Sequence, residues 1–287
     1  MCNARFLIVV MIFSAALFYG CSSQRYGARF MLEGVHTGQT EQGMDVFGDK
    51  AYLLYNTGIC RIFDLLSEKI DSEFLLASAS KTNHANCASF GKEFYEGNNV
   101  PVLYVSECSS PYRCFVENIR NGKSQIVQTI FAFENEHPKL VHDWIVAKKG
   151  YFLYTFTRLG SIISNGTVLH SINKYRLPRL SEGEKVILSE KDVIDRFDIS
   201  FKSMGQGGLV NGRYMYLPVG LSHDSDGKRS DAKRSIIIVD LKKQIIERFV
   251  DISNDILDEP EDIAIYNGRL LLYCGQNGGL RMLDIKM

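Results

Sequence analysis

The chain has 287 residues, of which 45% are hydrophobic and 23% charged, which excludes a disordered or low-complexity polymer. Lys+Arg and Asp+Glu both number 33, so no net field favours nucleic acid or an anionic surface. The length allows two small domains or one large all-β domain.

The N-terminus reads as a targeting segment. Arg5 supplies a positive charge, and Phe6–Phe18 is apolar but too short to span a bilayer comfortably. It runs into Gly20-Cys21-Ser22-Ser23. A small residue directly before a cysteine at the end of such a run resembles a bacterial lipoprotein signal. That resemblance implies a signal peptide over residues 1–21, with Cys21 acylated (palmitate among the chains) as the first mature residue. It also implies an outer-membrane lipoprotein, periplasmic or surface facing, held to the membrane by its N-terminal acyl anchor. An ordinary signal peptide with an incidental cysteine is the plainer alternative. Residues 22–27 read as a tether, and residues 28–287 as a single domain.

The chain holds seven cysteines. Without Cys2 and Cys21, five remain in a space that permits disulfides, so at least one thiol stays free. Cys108 and Cys114 flank the turn Ser109-Ser110-Pro111 and are the disulfide candidate. Two buried small hydrophobes on adjacent strands would give the same spacing. No Cys/His spacing suggests zinc.

In chain order, Ala28–Val35 predicts one strand without a neighbouring hairpin partner. The first unit predicts strands at Met44–Phe47, Ala51–Tyr55, Ile59–Leu65 and Lys69–Leu76. A second, starting at His84-Ala85-Asn86, gives Cys87–Phe90, Val102–Ser106, Arg113–Asn118 and Gln125–Phe131. The third starts at His142-Asp143-Trp144 and gives Trp144–Ala147, Tyr151–Thr157, Thr167–Leu177 and Glu184–Leu188. Ser189–Phe197 follows as the one helix candidate, with Ser189 as cap and Asp192 three residues on. The fourth unit starts near Gln206 and gives Gly208–Val210, Tyr214–Pro218, Ser235–Leu241 and Gln244–Val250. The last starts near Glu261 and gives Ile263–Tyr266, Arg269–Cys274 and Leu280–Ile285.

The hairpins V-F-G-D-K-A-Y-L-L-Y, V-A-K-K-G-Y-F-L-Y, L-V-N-G-R-Y-M-Y-L and I-Y-N-G-R-L-L-L-Y repeat one design. An apolar strand meets a glycine-containing turn, because a tight hairpin turn needs positive φ, and an aromatic-aliphatic strand follows. Unit steps of roughly 40 to 65 residues fit four-stranded propeller blades. The expectation is an all-β chain, a β-propeller of five four-stranded blades. A sixth could hide in the long step from 142 to 206. The last unit lacks an outer strand, which Ala28–Val35 can supply, closing the ring and removing an open edge.

The signal, the Y-N-G-R and V-N-G-R hairpins and E-P-E-D-I-A-I resemble the TolB-like β-propeller lipoproteins of Gram-negative bacteria. That family is functionally diverse, so the resemblance implies a fold and a compartment and leaves activity open.

The first residues of each innermost strand should converge at one mouth of the channel. They are Asp45, His84, Asn86, His142, Asp143, Gln206, Glu261 and Asp262. Carboxylates and amides there suit a protein, peptide or glycan ligand, or calcium; equally, they can simply bind water in a wet channel. Trp144 could stack on a sugar ring or serve as packing. The expected function is non-catalytic binding at this mouth. The alternative is a carbohydrate-active hydrolase using Asp45, Asp143 and Glu261, which would need carboxyls about 5 Å apart, or roughly 6.5–9.5 Å apart, to flank a scissile bond. Neither a G-x-S-x-G serine motif nor a glycosidase signature occurs. Asp224-x-Asp226-Gly227 echoes a calcium loop, but Lys228 occupies an oxygen position. Asn165-Gly166-Thr167 is read as a turn.

Overall fold

A computed structural model describes residues 26–34, 38–134, 137–138, 141–159, 167–202, 205–220 and 233–286. Cys21, the Asp224–Asp226 loop, Asn165 and the end of the expected first strand at Val35 lie outside the described residues.

The chain is a five-bladed β-propeller. It begins with β1 (Ala28–Leu32), and four strands then form blade I: β2 (Glu41–Phe47), β3 (Lys50–Tyr55), β4 (Ile59–Asp64) and β5 (Lys69–Leu75). Blade II holds β6 (Ala88–Phe90), β7 (Leu103–Ser106), β8 (Cys114–Arg120) and β9 (Lys123–Glu134), with the short β10 (His137–Pro138) on the edge of β9. Blade III holds β11 (Asp143–Val146), β12 (Phe152–Leu159), β13 (Thr167–Arg176) and, after β14 (Lys185–Leu188), β15 (Val193–Lys202). Blade IV is β16 (Leu209–Asn211), β17 (Tyr214–Val219), β18 (Ser235–Asp240) and β19 (Ile245–Asp251). Blade V is β20 (Pro260–Tyr266), β21 (Arg269–Cys274) and β22 (Gly279–Lys286), completed by β1.

Ring closure follows the sequence expectation. β1 pairs antiparallel with β22, Ala28 opposite Leu283 and Phe30 opposite Arg281. The hairpin turns also hold: Gly48, Gly212 and Gly268 each have positive φ, which only glycine adopts without strain.

The core is divided among the blade interfaces. Side chains alternate across a strand, so each sheet turns one set of residues to the blade before it and the other to the blade after. On β11, Trp144 and Val146 pack against blade II with Tyr104, Cys114 and Val116. Ile145 faces the other way, toward Val210, Met215 and Leu217 of blade IV. Similar clusters join blades IV and V, V and I, and I and II. Burying each large apolar side chain contributes about 1.5–3 kcal/mol, so every blade depends on both neighbours.

Three expectations are corrected. No sixth blade occupies the step from 142 to 206. That length goes into the long strands of blade III and into β14, which leaves its own blade and pairs parallel with β9, Lys185 opposite Thr129. Glu184–Leu188 is therefore no strand of blade III. Val186 and Leu188 drive this by joining the blade II–III core. The outer strand of blade III is β15, paired with β13. The helix expected over Ser189–Phe197 is one 3-10 turn, Glu190–Asp192. Ser189 Oγ accepts no backbone N–H of this turn; instead Asp192 Oδ2 accepts the Ser189 N–H at 2.7 Å and its Oγ–H at 2.8 Å, so the acid ties the turn shut. Val193 and Ile194 then turn into β15, because β-branched residues suit a strand better than a helix.

Candidate functional site: the acidic mouth of the channel

Counting back from the hairpin turns aligns the innermost strands. Phe47, Asn211 and Tyr266 each close a two-residue turn, opposite Lys50, Tyr214 and Arg269. Asp262 therefore stands level with Gly43 and Gly207, and Glu261 with Gln42 and Gln206.

Asp262 is fully buried on the axis. Its Oδ2 accepts the backbone N–H of Met44 at 2.8 Å and of Ala88 at 3.0 Å. Its Oδ1 accepts the N–H of Gly208 at 2.9 Å and of Ile263 at 2.8 Å. One carboxyl group thus joins blades I, II, IV and V. A Cβ at Gly207 would lie 2.3 Å from Oδ1, so glycine there is what lets the carboxyl group fit. Burial drives the Asp262 carboxyl well above the usual range, against the pull of its N–H bonds. Asp262 is an internal strut rather than a ligand-facing group.

Blade III is tied in by Asp143, whose Oδ1 accepts from Asn86 Nδ2 at 2.6 Å. Its Oδ2 is buried without a partner among the described residues. Burial pushes this carboxyl up to about 7, with the Asn86 bond opposing. Glu261 is 3% exposed. Burial, followed by the charges of Glu259, Glu41, Asp262 and Asp143, pushes its carboxyl well above the usual range. Its Oε1 lies where a Cβ on Gly275 would be 2.2 Å away, so this glycine, too, makes room for acid.

Toward the rim, Glu259 accepts from Gln206 Nε2 at 2.8 Å and from Gln276 Nε2 at 3.4 Å. Glu41 accepts the N–H of Asn277 at 3.1 Å. His84 is exposed; desolvation lowers its imidazole and the charge of Glu259 opposes. His142 Nδ1 accepts the N–H of Arg158 at 3.2 Å, which leaves the ring neutral with its proton on Nε2. Burial, helped by the charge of Arg158, pushes it down to about 4.

The residues expected at one mouth therefore divide. Asn86, Asp143, Gln206, Glu261 and Asp262 gather there, with His84 and His142 nearer the rim. Asp45 does not. Its register places it two residues deeper, where Lys148 Nζ binds its Oδ1 at 2.5 Å and Phe90 N–H its Oδ2 at 2.6 Å. Trp144 is no stacking platform either. It is fully buried between blades II and III, and its Nε1 donates to Tyr112 O at 3.3 Å.

Cys108 and Cys114 are both free thiols. Cys114 packs into the blade II–III core, while Cys108 stands half-buried outside it. There burial, then the charges of Asp143 and Glu261, push its thiol up to about 12.

Glu41 and Glu259 were missed from sequence. Both precede the apolar runs that mark the strands, and only the alignment from the turns brings them level with the mouth. Among the described residues, no group of three or more His, Cys, Asp or Glu side chains is arranged to hold a metal ion. The arrangement is a hydrogen-bond-accepting mouth: acid and amide oxygens around an axis whose innermost acid is committed to backbone.

No family model and no curated protein matches the chain.

Proposed function

We propose that this propeller is a non-catalytic binding module that engages a donor-rich partner at its acidic mouth. Suitable partners are a peptide or protein offering Lys, Arg or amide groups, or a glycan offering hydroxyls. The reading rests on one observation. Asp143 Oδ2 is a buried acceptor at the mouth without a partner among the described residues, whereas the neighbouring Asp262 is saturated by backbone N–H groups. Glu259, Gln206 and His84 form the outer contacts. The N-terminal resemblance supports export, acylation at Cys21 and a place at the outer membrane among TolB-like lipoproteins.

The competing reading is a carbohydrate hydrolase. It would rest on Asp143 and Glu261 alone, since Lys148 holds Asp45 elsewhere. One experiment separates the two. The full chain is immobilised and exposed to envelope extract, with Glu259→Gln/Glu261→Gln as comparison, while both proteins are assayed on a polysaccharide panel. Selective loss of a captured partner in the variant supports binding. Equal capture by both proteins removes the mouth as the site, and turnover lost in the variant favours the hydrolase.

A further inference from the structure

The opposite mouth holds a second cavity of different chemistry. β2 and β6 run away from Glu41 and Asn86 and end at Phe47 and Phe90. Beyond them lies a cavity of about 310 Å³ walled by Phe47, Phe90, Phe94 and Pro101, with Lys92 and Lys148. This is the small end of the range for ligand pockets. Phe47 is tilted against Phe90 at 5.6 Å and meets Phe94 edge to face at 6.5 Å, centroid to centroid. Phe94 is 53% exposed and forms the open side of this wall.

The two lysines are not equivalent. Lys148 is neutralised by Asp45, whose carboxylate it grips with both oxygens. Lys92 Nζ donates to the carbonyl oxygen of Lys148 at 2.8 Å and forms no ion pair with a described carboxylate. Burial, then the charge of Lys148, holds its ammonium below the usual range. Asp49, the other acid near this mouth, accepts from Tyr266 Oη at 2.8 Å. Asp49 does not line the cavity, and Asp45 is taken up by Lys148, so Lys92 is the positive charge left beside the aromatic wall. An ammonium in that position has donors to spare and gains most from one further anion.

We propose that this cavity binds a small monocarboxylate with an aromatic body, its carboxylate on Lys92 and its ring among Phe47, Phe90 and Phe94. One negative charge balances the site. A dianionic phosphate would overcompensate, and a sugar would leave the three phenylalanines facing hydroxyls. The site lies at the far end of the channel from the acidic mouth and stands independently of the function proposed there.

The test is calorimetric titration of the full chain with 3-phenylpropionate, with 3-phenylpropionamide and acetate in parallel. The expected result is saturable binding of 3-phenylpropionate, with both controls weaker by roughly tenfold or more, the worth of one charge-assisted hydrogen bond. Lys92→Met should lose about the same factor and Lys92→Arg should retain most of the affinity. Lys92→Met removes an unpaired cation rather than a paired one, and an unchanged melting curve confirms its fold. Failure of 3-phenylpropionate to bind, equal binding of the amide, or undiminished binding by a folded Lys92→Met protein would overturn the proposal.

Discussion

The carboxylate of Asp262 accepts the backbone N–H of Met44 at 2.8 Å, across a sequence separation of 218 residues. The same group holds Ala88, Gly208 and Ile263. Asp262→Ala would orphan four buried N–H groups and should cost roughly 4 kcal/mol or more. Asp262→Asn should be nearly as damaging, because its amide nitrogen would point a donor at two other donors. Denaturant midpoints of the three proteins check this. An asparagine variant close to wild type would mean that the carboxyl group is not the strut described here.

Asp143 gives the stability a pH dependence of unusual sign. Burial raises its carboxyl in the folded state to about 7 from an ordinary 3.8. The folded protein therefore holds a proton that the unfolded chain has released. Stability from this group is whole below about pH 4 and falls as pH rises toward 7, by on the order of 4 kcal/mol. Glu261 is shifted in the same direction. Asp143→Asn keeps the acceptor for Asn86 and cannot ionise. It should match wild type near pH 4 and melt higher at pH 8, as parallel thermal melts across that range will show.

The Asp45–Lys148 pair makes a structural prediction where the sequence suggested a catalytic one. Asp45 has a side chain only 3% exposed, and Lys148 reaches it from blade III. Lys148→Met would leave that carboxylate buried and half-satisfied, at a cost of about 3–5 kcal/mol. Adding Asp45→Asn should recover much of the loss, because the desolvated charge goes with its partner. The four proteins of this double-mutant cycle, compared by urea unfolding, give the coupling directly.

The blades were legible because hairpins are local: glycine turns and alternating apolar strands need only a few neighbouring residues to declare themselves. β14 was not. Its K-V-I-L sequence makes a sound strand, but its choice of β9 over its own blade depends on packing between blades II and III. The mouth was half legible. Asp143, Gln206, Glu261 and Asp262 were found because polar residues interrupt apolar strands at their starts. Asp45 satisfies the same criterion, yet it sits two residues nearer its turn than Asp262 does, level with Ala264. Trp144 stayed open between stacking and packing because a strand start can face either a channel or a neighbouring blade, and only the ring, which buries it as packing, decides which.

Ring closure by β1 offers the most direct trial of the architecture. Its pairing with β22 gives blade V a fourth strand, and Met31, 7% exposed, enters the core between blades V and I. Phe30 lies beneath the Arg281 guanidinium at 3.5 Å, and Tyr26 N–H reaches Asp255 Oδ2 at 3.1 Å. The Arg29–Glu68 ion pair is exposed and adds little. Deleting residues 1–32 should leave β22 an open edge, lower the melting temperature and promote self-association. Because β1 contributes by pairing and packing, a synthetic peptide of residues 26–34 should restore the melting temperature in proportion to its concentration. A peptide with Met31→Asp should not, since it would carry a charge into an apolar interface. A truncated protein as stable as the full chain, or one indifferent to the peptide, would show that the four remaining blades and the three-stranded remnant hold together without their closing strand.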